Sequence, residues 1–439
     1  METVGIIGTG EIGWRMGRLL VSVGHPVVGF DIRPEAQKWA REAGIDIAES
    51  IADLANRSDV VITCVTDGAA LEKVVAGENG LLSTLARGKT LIDTTSAEPW
   101  ITQRLALEFV DQGIRFLDAP VSGGVPAAEA GQMNFMVGGE RSLLDTWQPL
   151  LLRMGTVITH VGDVGSGHTI KAVNMLALAS SMLATAEVLA IGRNAGLSLE
   201  KLVEALNEGA GGSYSTRAHY PRFIVPGNFA SGFTFDLMRK DLSISIGLAD
   251  RFDVPLFLGR ATWELYRAAG NTGLAGQDNT RIVEPILGAE GRDDGGLPEG
   301  DLTSRLDLLA DMSNTIIAAE TVMLGAASGL KPETVIEVVS AGSGDNHVLS
   351  KRLPKYLGGK SLDSGATLGE AYRTALEVFP LAFSQRIPAF LTAAAMGLHA
   401  AAIGRFGEEA DRGKMVDLIA EWTGQFSMVQ QRRRMGGEA

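Results

Sequence analysis

The chain of 439 residues contains one cysteine, Cys64, which excludes an intrachain disulfide and fits a reducing compartment. Cys64 sits in VVITCV, a run that reads as a buried strand rather than as the setting of a nucleophile. Positive charge is also scarce. Lys and Arg number 39 against 52 Asp and Glu, and the net charge of -13 argues against nucleic acid as a partner. An anionic ligand must therefore be held by local donors against the overall field. No apolar run looks long and clean enough to span a bilayer, because the one from Ala172 is broken by Asn174, Ser180, Ser181 and Thr185. The opening METVGIIGTG runs straight into a strand, so no signal peptide, no membrane and a cytoplasmic location are expected. No metal is expected either. What remains is 45% hydrophobic and 21% charged, an ordinary globular composition. At roughly 150 residues per domain, the length suggests about three domains.

The first motif is GTGEIG, with Gly8, Gly10, Glu11, Ile12 and Gly13, placed after a short apolar strand from Thr3 to Ile7 and before a helix from Trp14 to Val23. Gly8 permits the tight turn, Gly10 lets backbone approach a pyrophosphate, and Gly13 lets helix pack on strand. The helix start supplies amide donors and a positive dipole to the phosphates. PVVGF then leads to Asp31, which accepts hydrogen bonds from an adenosine ribose and repels a 2′-phosphate; Arg33, two residues on, meets such a phosphate instead. NAD is favoured over NADP.

Strand and helix then alternate, with strands in VVITCV, TLIDTT, IRFLDAP, MNFMVGG and VITHVG, as in a doubly wound sheet. The turns at Val65, Thr66 and Asp67 and at Thr94, Thr95 and Ser96 fall at the carboxyl edge, where such sheets bind ligands. In DAPVSGG, Ser122, Gly123 and Gly124 offer a hydroxyl and unobstructed amides, either a nest for a carboxylate or a plain turn.

Strand signals stop near Gly165, and the remainder reads as helices built from an internal repeat. Glu187 matches Glu320, an offset of 320 − 187 = 133. Without a gap, the same offset pairs Gly196 with Gly329, Pro221 with Pro354, Gly232 with Gly365, Thr234 with Thr367 and Pro255 with Pro388. Independent helical hairpins of similar composition are the alternative. Between the copies, Gly288 to Asp301 is glycine-rich and acidic and reads as a linker. The tail after Trp422, with Arg432, Arg433 and Arg434, reads as solvated rather than as an arm reaching an anion. The domains are thus 1–164, a dinucleotide-binding domain; 165–287 and 302–422, the helical copies; 288–301, the linker; and 423–439, the tail.

Lys171 and Asn174 stand near the start of an apolar helix, and Ser304 and Asp307 replace them in the second copy; Lys240 and Asp241 become Arg373 and Thr374. The scaffold repeats and the polar set does not, so these residues are read as belonging to one site. A lysine whose pKa is lowered by burial or by a helix start can take a hydroxyl proton as hydride leaves the carbon. Asn174, three residues on and about 60° around the helix, shares its face. A lysine that merely snorkels at a helix start is the plainer reading. His168 is a rival base, but an ordinary helix-entry residue is the stronger reading of it.

GTGEIG, DTTS, DAPVSGG, GHTIKAVN and FDLMRKDL, in this order between Val4 and about Ile286, resemble the β-hydroxyacid dehydrogenases, the group of 3-hydroxyisobutyrate, tartronate semialdehyde and 6-phosphogluconate dehydrogenases. The resemblance implies Lys171 as general acid/base and Ser122, Gly123 and Gly124 as contacts of a substrate carboxylate. It further implies Thr95 near the nicotinamide, Lys240 near the cofactor with Asp241 supporting it, and a homodimer formed through the helical domains. It also implies that the second copy fills within one chain the place of a neighbouring subunit. Two departures matter. Met175 stands where many members have asparagine, and Asn174-Met175 stands where the 6-phosphogluconate enzymes have His-Asn, which argues against that substrate. The segment AGQMNFM lacks the usual threonines. The expected protein is an α/β Rossmann-type sheet domain followed by two repeated helical units, acting as an NAD-dependent dehydrogenase of a 3-hydroxy acid or close analogue. The alternatives are an imine or ketone reductase on the same fold and a non-catalytic NAD(H)-binding protein.

Overall fold

The structure, a computed structural model, describes residues 1–289, 302–362 and 365–437, so most of the expected linker lies outside the described residues. The chain divides into two compact units, Met1–Lys171 and Ala172–Ala439. The division falls inside a helix rather than at 164/165, because the first residues of that helix bond to the sheet unit: Gly165 and His168 donate their amides to Asp118.

The first unit carries β1 (Val4–Ile7), β2 (Val27–Phe30), β3 (Asp46–Ile47), β4 (Val60–Thr63), β5 (Thr90–Asp93), β6 (Arg115–Asp118), β7 (Val121–Ser122), β8 (Met133–Gly138) and β9 (Gly155–Gly162). Their order is β3-β2-β1-β4-β5-β6-β8-β7, with β9 on β8. The run from β3 to β6 is parallel, and β8 turns antiparallel to β6. Val4 pairs with both Val27 and Val60, so the strand order reverses direction at β1, the switch point where such sheets bind ligands. The two-residue strands β3 and β7 carry too little pattern to be read from sequence. β1, β4 and β5 are buried throughout, which explains their continuous apolar sequences. Alternate residues feed two cores: Val4, Ile6, Val60 and Ile62 face one, and Ile7 and Val61 face the other.

The second unit is helical. Its two long helices, Ser166–Asn194 (which begins in the first unit) and Leu302–Ala327, are counterparts at the offset of 133. By length and composition Ser166–Asn194 could cross a membrane, contrary to the expectation above, but its apolar window is wholly buried in the protein. Gly196 and Gly329, with φ of 88° and 91°, close the two helices in the left-handed conformation that glycine adopts freely.

The copies hold each other reciprocally. Glu187 accepts the amides of Leu391 and Thr392 in the second copy, and Glu320 accepts those of Leu258 and Gly259 in the first. Tyr214 donates its amide to the Asp345 carbonyl, and His347 donates to that of Gly212. Ser213 and Asn346, themselves counterparts, form a bridge. Every one of these contacts relates a residue to the partner of its own counterpart, the pattern of a two-fold axis.

The copies differ inside. Where the first has Leu178, His219 and Asn279, the second has Asp311 accepting from Arg352 at 2.8 Å and from the fully buried Arg412 at 2.7 Å. The tail is not solvated as expected. Phe426–Gly437 is a helix with Val429 fully buried, Arg432 paired to Glu333, and Arg433 4.1 Å above the Tyr356 ring. Phe426 and Val429, three residues apart, give this segment its apolar side beneath the run of arginines.

Candidate cofactor and active site

The cofactor cradle grows out of the end of β1. Gly8 turns the chain at φ 92°, and a Cβ there would lie 2.2 Å from the Cys64 carbonyl oxygen. A Cβ on Gly13 would lie 1.9 Å from the Gly8 carbonyl oxygen. The helix Gly13–Ser22 can start against the strand only because both side chains are missing. No side-chain hydrogen bond caps its N-terminus at Ile12, so its start presents main chain. These features fit a bound pyrophosphate. Glu11 points along the helix to Arg15, with the ion pair at 2.6 Å.

Asp31, at the end of β2, is 7% exposed and accepts the amides of Thr9 and Arg33, each at 2.9 Å. The exposed Arg33 side chain returns to the same carboxylate, Nε to Oδ1 at 3.4 Å. A Cβ on Gly10 would touch Arg33 Nη2 at 2.7 Å, so the turn, the acid and the cation converge. The residues fit a dinucleotide, with the acid and the base that choose between its two forms lying side by side.

At the carboxyl edge, Val65 donates its amide to Thr95 Oγ1 at 3.2 Å, linking the turns after β4 and β5. Thr66 is exposed, and its hydroxyl donates to Asp67, which caps the next helix through the Ala70 amide. Ser122 lies in β7, and Gly123 and Gly124 follow with φ of 111° and 63° at the start of a short helix. Both φ values are ones that only glycine adopts freely, so the two amides lie on a turn with no side chain to obstruct them.

Lys171 is 8% exposed in the early turns of the helix from Ser166. Asp118 places its carboxylate on that helix start, Oδ1 accepting from Gly165 at 2.8 Å and Oδ2 from His168 at 3.0 Å. The positive helix end invoked from sequence is thus largely answered by an acid. Asp118 opens DAPVSGG, and the sequence reading passed over it. It also passed over Asp93 in DTTS, buried at the end of β5, whose Oδ1 accepts from Thr63 Oγ1 and from the Thr95 amide. Burial pushes the Asp93 carboxyl above its ordinary range, and the neighbouring His168 opposes this. An acid ending an apolar strand was the available signal for both.

His168 is not placed to be a base for substrate. Its ring is fully buried, with Nε2 2.6 Å from the Thr95 carbonyl oxygen and Nδ1 2.8 Å from Thr102 Oγ1.

Two expected residues lie in the helical unit. Asn174 is 2% exposed, its Oδ1 accepting from the Gly344 amide at 2.9 Å and its Nδ2 donating to Ser343 Oγ at 3.0 Å. Its counterpart Asp307 accepts the amides of Ala210 and Gly211, the reciprocal contact. Both residues therefore also clamp the other copy's loop: Asn174 accepts one main-chain amide and donates to a hydroxyl, and Asp307 accepts two main-chain amides. Lys240 pairs with Asp241 at 3.1 Å and lines an open groove of about 680 Å³ with Arg239, Ser243, Trp263 and Arg267.

A glycine cradle at the switch point of a parallel sheet, with an acid ending β2, defines a dinucleotide-binding protein. Comparison with known proteins narrows this. Residues 3–162 match the family described as the NAD-binding domain of 6-phosphogluconate dehydrogenase. Residues 165–286, and again 309–419, match the family described as NAD-binding of NADP-dependent 3-hydroxyisobutyrate dehydrogenase. The chain is 35% identical over 290 residues to the mitochondrial 3-hydroxyisobutyrate dehydrogenase of Rattus norvegicus, covering 64% of this chain and 86% of that protein. It is 33% identical over 281 residues to 2-(hydroxymethyl)glutarate dehydrogenase of Eubacterium barkeri, covering 64% of this chain and 93% of that one. Among solved structures, 3-hydroxyisobutyrate dehydrogenase of Mycobacterium tuberculosis with L-serine aligns at TM-score 0.62 and 29% identity, over 65% of this chain and 99% of that one. The 6-phosphogluconate dehydrogenase of Plasmodium falciparum aligns over 96% of both chains at TM-score 0.68, a likeness of fold at 15% identity. The chain belongs to the 3-hydroxyisobutyrate and 6-phosphogluconate dehydrogenase-like family. It is an NAD(P)-dependent oxidoreductase that works by hydride transfer on a hydroxy-acid-like substrate.

Proposed function

We propose that the protein oxidises the hydroxyl of a 3-hydroxy acid or a close analogue, using NAD, with Lys171 as the general acid/base. The observation that carries the reading is the buried Lys171 on a helix whose start is bonded to the ends of β5 and β6 through Thr95 and Asp118, the edge where a doubly wound sheet meets its ligand. When bound, the nicotinamide supplies the hydride acceptor. Lys171 takes the hydroxyl proton as the carbon is oxidised and returns it in reduction. The amides and hydroxyl at Ser122, Gly123 and Gly124 hold the carboxylate. Thr95, whose hydroxyl accepts the Val65 amide, would stand beside the nicotinamide. Asp31 receives the ribose hydroxyls and disfavours a 2′-phosphate, which supports NAD; Arg33 is the residue that would admit NADP. Asn174 acts by holding the second copy's loop. The location assigned is the cytoplasm.

The test is nicotinamide absorbance with NAD and NADP in parallel against 3-hydroxyisobutyrate and other small 2- and 3-hydroxy acids, wild type beside Lys171→Ala. Reduction with a 3-hydroxy acid, lowered about 10²- to 10⁴-fold in the variant, is the expected result. Full turnover by Lys171→Ala would remove the lysine from the mechanism. Cofactor binding without turnover on any acid would favour a binding protein.

A further inference from the structure

We propose that His168 is a positioning residue for this reaction: a fully buried imidazole that ties the turn carrying Thr95 to the first turns of the helix carrying Lys171. The inference rests on the reading of Lys171 given above.

Three elements of the sheet unit converge on the ring. Nε2 meets the Thr95 carbonyl oxygen at 2.6 Å, and because a carbonyl only accepts, Nε2 carries a proton there. On the other side Nδ1 meets Thr102 Oγ1 at 2.8 Å, on the helix Pro99–Asp111. The main-chain amide of His168 is held by Asp118, so residue 168 is fixed to the end of β6 as well. The ring lies between two buried carboxylates, with Asp93 Oδ2 3.6 Å from Nε2 and Asp118 Oδ2 3.8 Å from Nδ1. Asp93 shapes the same turn from below through the Thr95 amide. A hydrogen-bond chain thus runs from Val65 through Thr95 to His168, and Lys171 follows His168 by three residues on the same helix.

His168 is the side chain in this chain of bonds that joins the helix to the strand ends. Without it, the helix start keeps the Asp118 cap but loses its bond to the turn at Thr95. A residue in this role does not touch substrate. It fixes the distance between the turn at the nicotinamide and the amine that moves the proton, and such distances are costly to lose: a 1 Å misplacement can lower turnover by about a hundredfold.

Two near-isosteric variants separate positioning from filling space. In His168→Gln the amide nitrogen lies near the place of Nε2 and keeps the bond to Thr95. In His168→Asn the shorter amide reaches only the side of Thr102. With 3-hydroxyisobutyrate as probe, His168→Gln is expected to keep kcat close to wild type. His168→Asn and His168→Ala are expected to lose about 10- to 100-fold in kcat with KM little changed. Gln and Asn variants with equal kcat, or a loss confined to KM, would overturn the proposal. Should His168→Ala fail to fold, the Gln and Asn pair carries the comparison. Carbamoylation of Lys171 by cyanate, followed by peptide mass, keeps the two readings apart because it needs no turnover. A rate changed by Asn but not by Gln supports the tie even if Lys171→Ala proves fully active. Equal rates in all three proteins refute it.

Discussion

Glu320→Ala removes one half of the reciprocal lock between the helical copies, and its cost can be worked from the contacts. Glu320 is 2% exposed, and its carboxyl accepts the amides of Phe257, Leu258 and Gly259 at the start of the helix Phe257–Ala269. Phe257 is partly exposed, so its amide can find water in the variant, while Leu258 and Gly259 are buried and cannot. Two stranded amides at about 2 kcal/mol each give a loss of about 4 kcal/mol when the carboxyl is neutral. Burial pushes the Glu320 carboxyl from 4.5 up to about 7, the three amides opposing the rise without cancelling it. The folded state therefore binds more protons than the unfolded state between these values, and wild-type stability falls as pH rises from about 4.5 through about 7, by about 3 kcal/mol. The alanine variant lacks this dependence. Glu320→Ala should accordingly cost about 3 kcal/mol at pH 5, where the fall has already begun, and only about 1 kcal/mol at pH 8. The assay is urea unfolding followed by far-ultraviolet circular dichroism at the two pH values, with Glu187→Ala in parallel. Glu187 is likewise held up to about 7 by burial, and it makes the same contact to Leu391 and Thr392. An equal loss at both pH values, or a larger one at pH 8, would refute the reasoning.

Three further outcomes are expected. Gly13→Ala drives a Cβ into the Gly8 carbonyl oxygen, so it should abolish NADH binding by fluorescence titration and lower the melting temperature; unchanged affinity would show that the turn can yield. Asp31→Ser with Arg33 retained should raise the kcat/KM ratio of NADP to NAD by about tenfold or more, since a buried carboxylate no longer faces the 2′-phosphate. Asp311→Ala leaves Arg352 and the fully buried Arg412 without their shared carboxylate and should cost about 3–5 kcal/mol in urea unfolding, whereas a neutral outcome would mean that the arginines find other partners.

The sequence by itself determined the parts whose signal is local. GTGEIG, its flanking strand and helix and the acid at Asp31 depend on neighbours within some thirty residues, and the structure assembles them as read. The repeat was legible because turn residues such as Gly196 and Gly329 answer to local backbone demands and therefore recur at a fixed offset. Lys171 stood out as a charge in an apolar helix. What the tertiary structure decided is the partner of each buried polar group. Glu187 and Glu320 look like two copies of one repeated helix residue, and only the folded chain shows that each caps a helix in the other copy, 204 and 62 residues away in the sequence. Asn174 looked like a neighbour of Lys171 with a single task, but its amide is spoken for by Ser343 and Gly344. His168 looked like an incidental helix-entry residue, and its position between Asp93, Asp118 and Thr95 follows from strand order, which apolar patterns do not specify. Periodicity reports which face of an element is buried. It carries no information on which distant donor will meet a given acceptor, because that is fixed only when the elements pack.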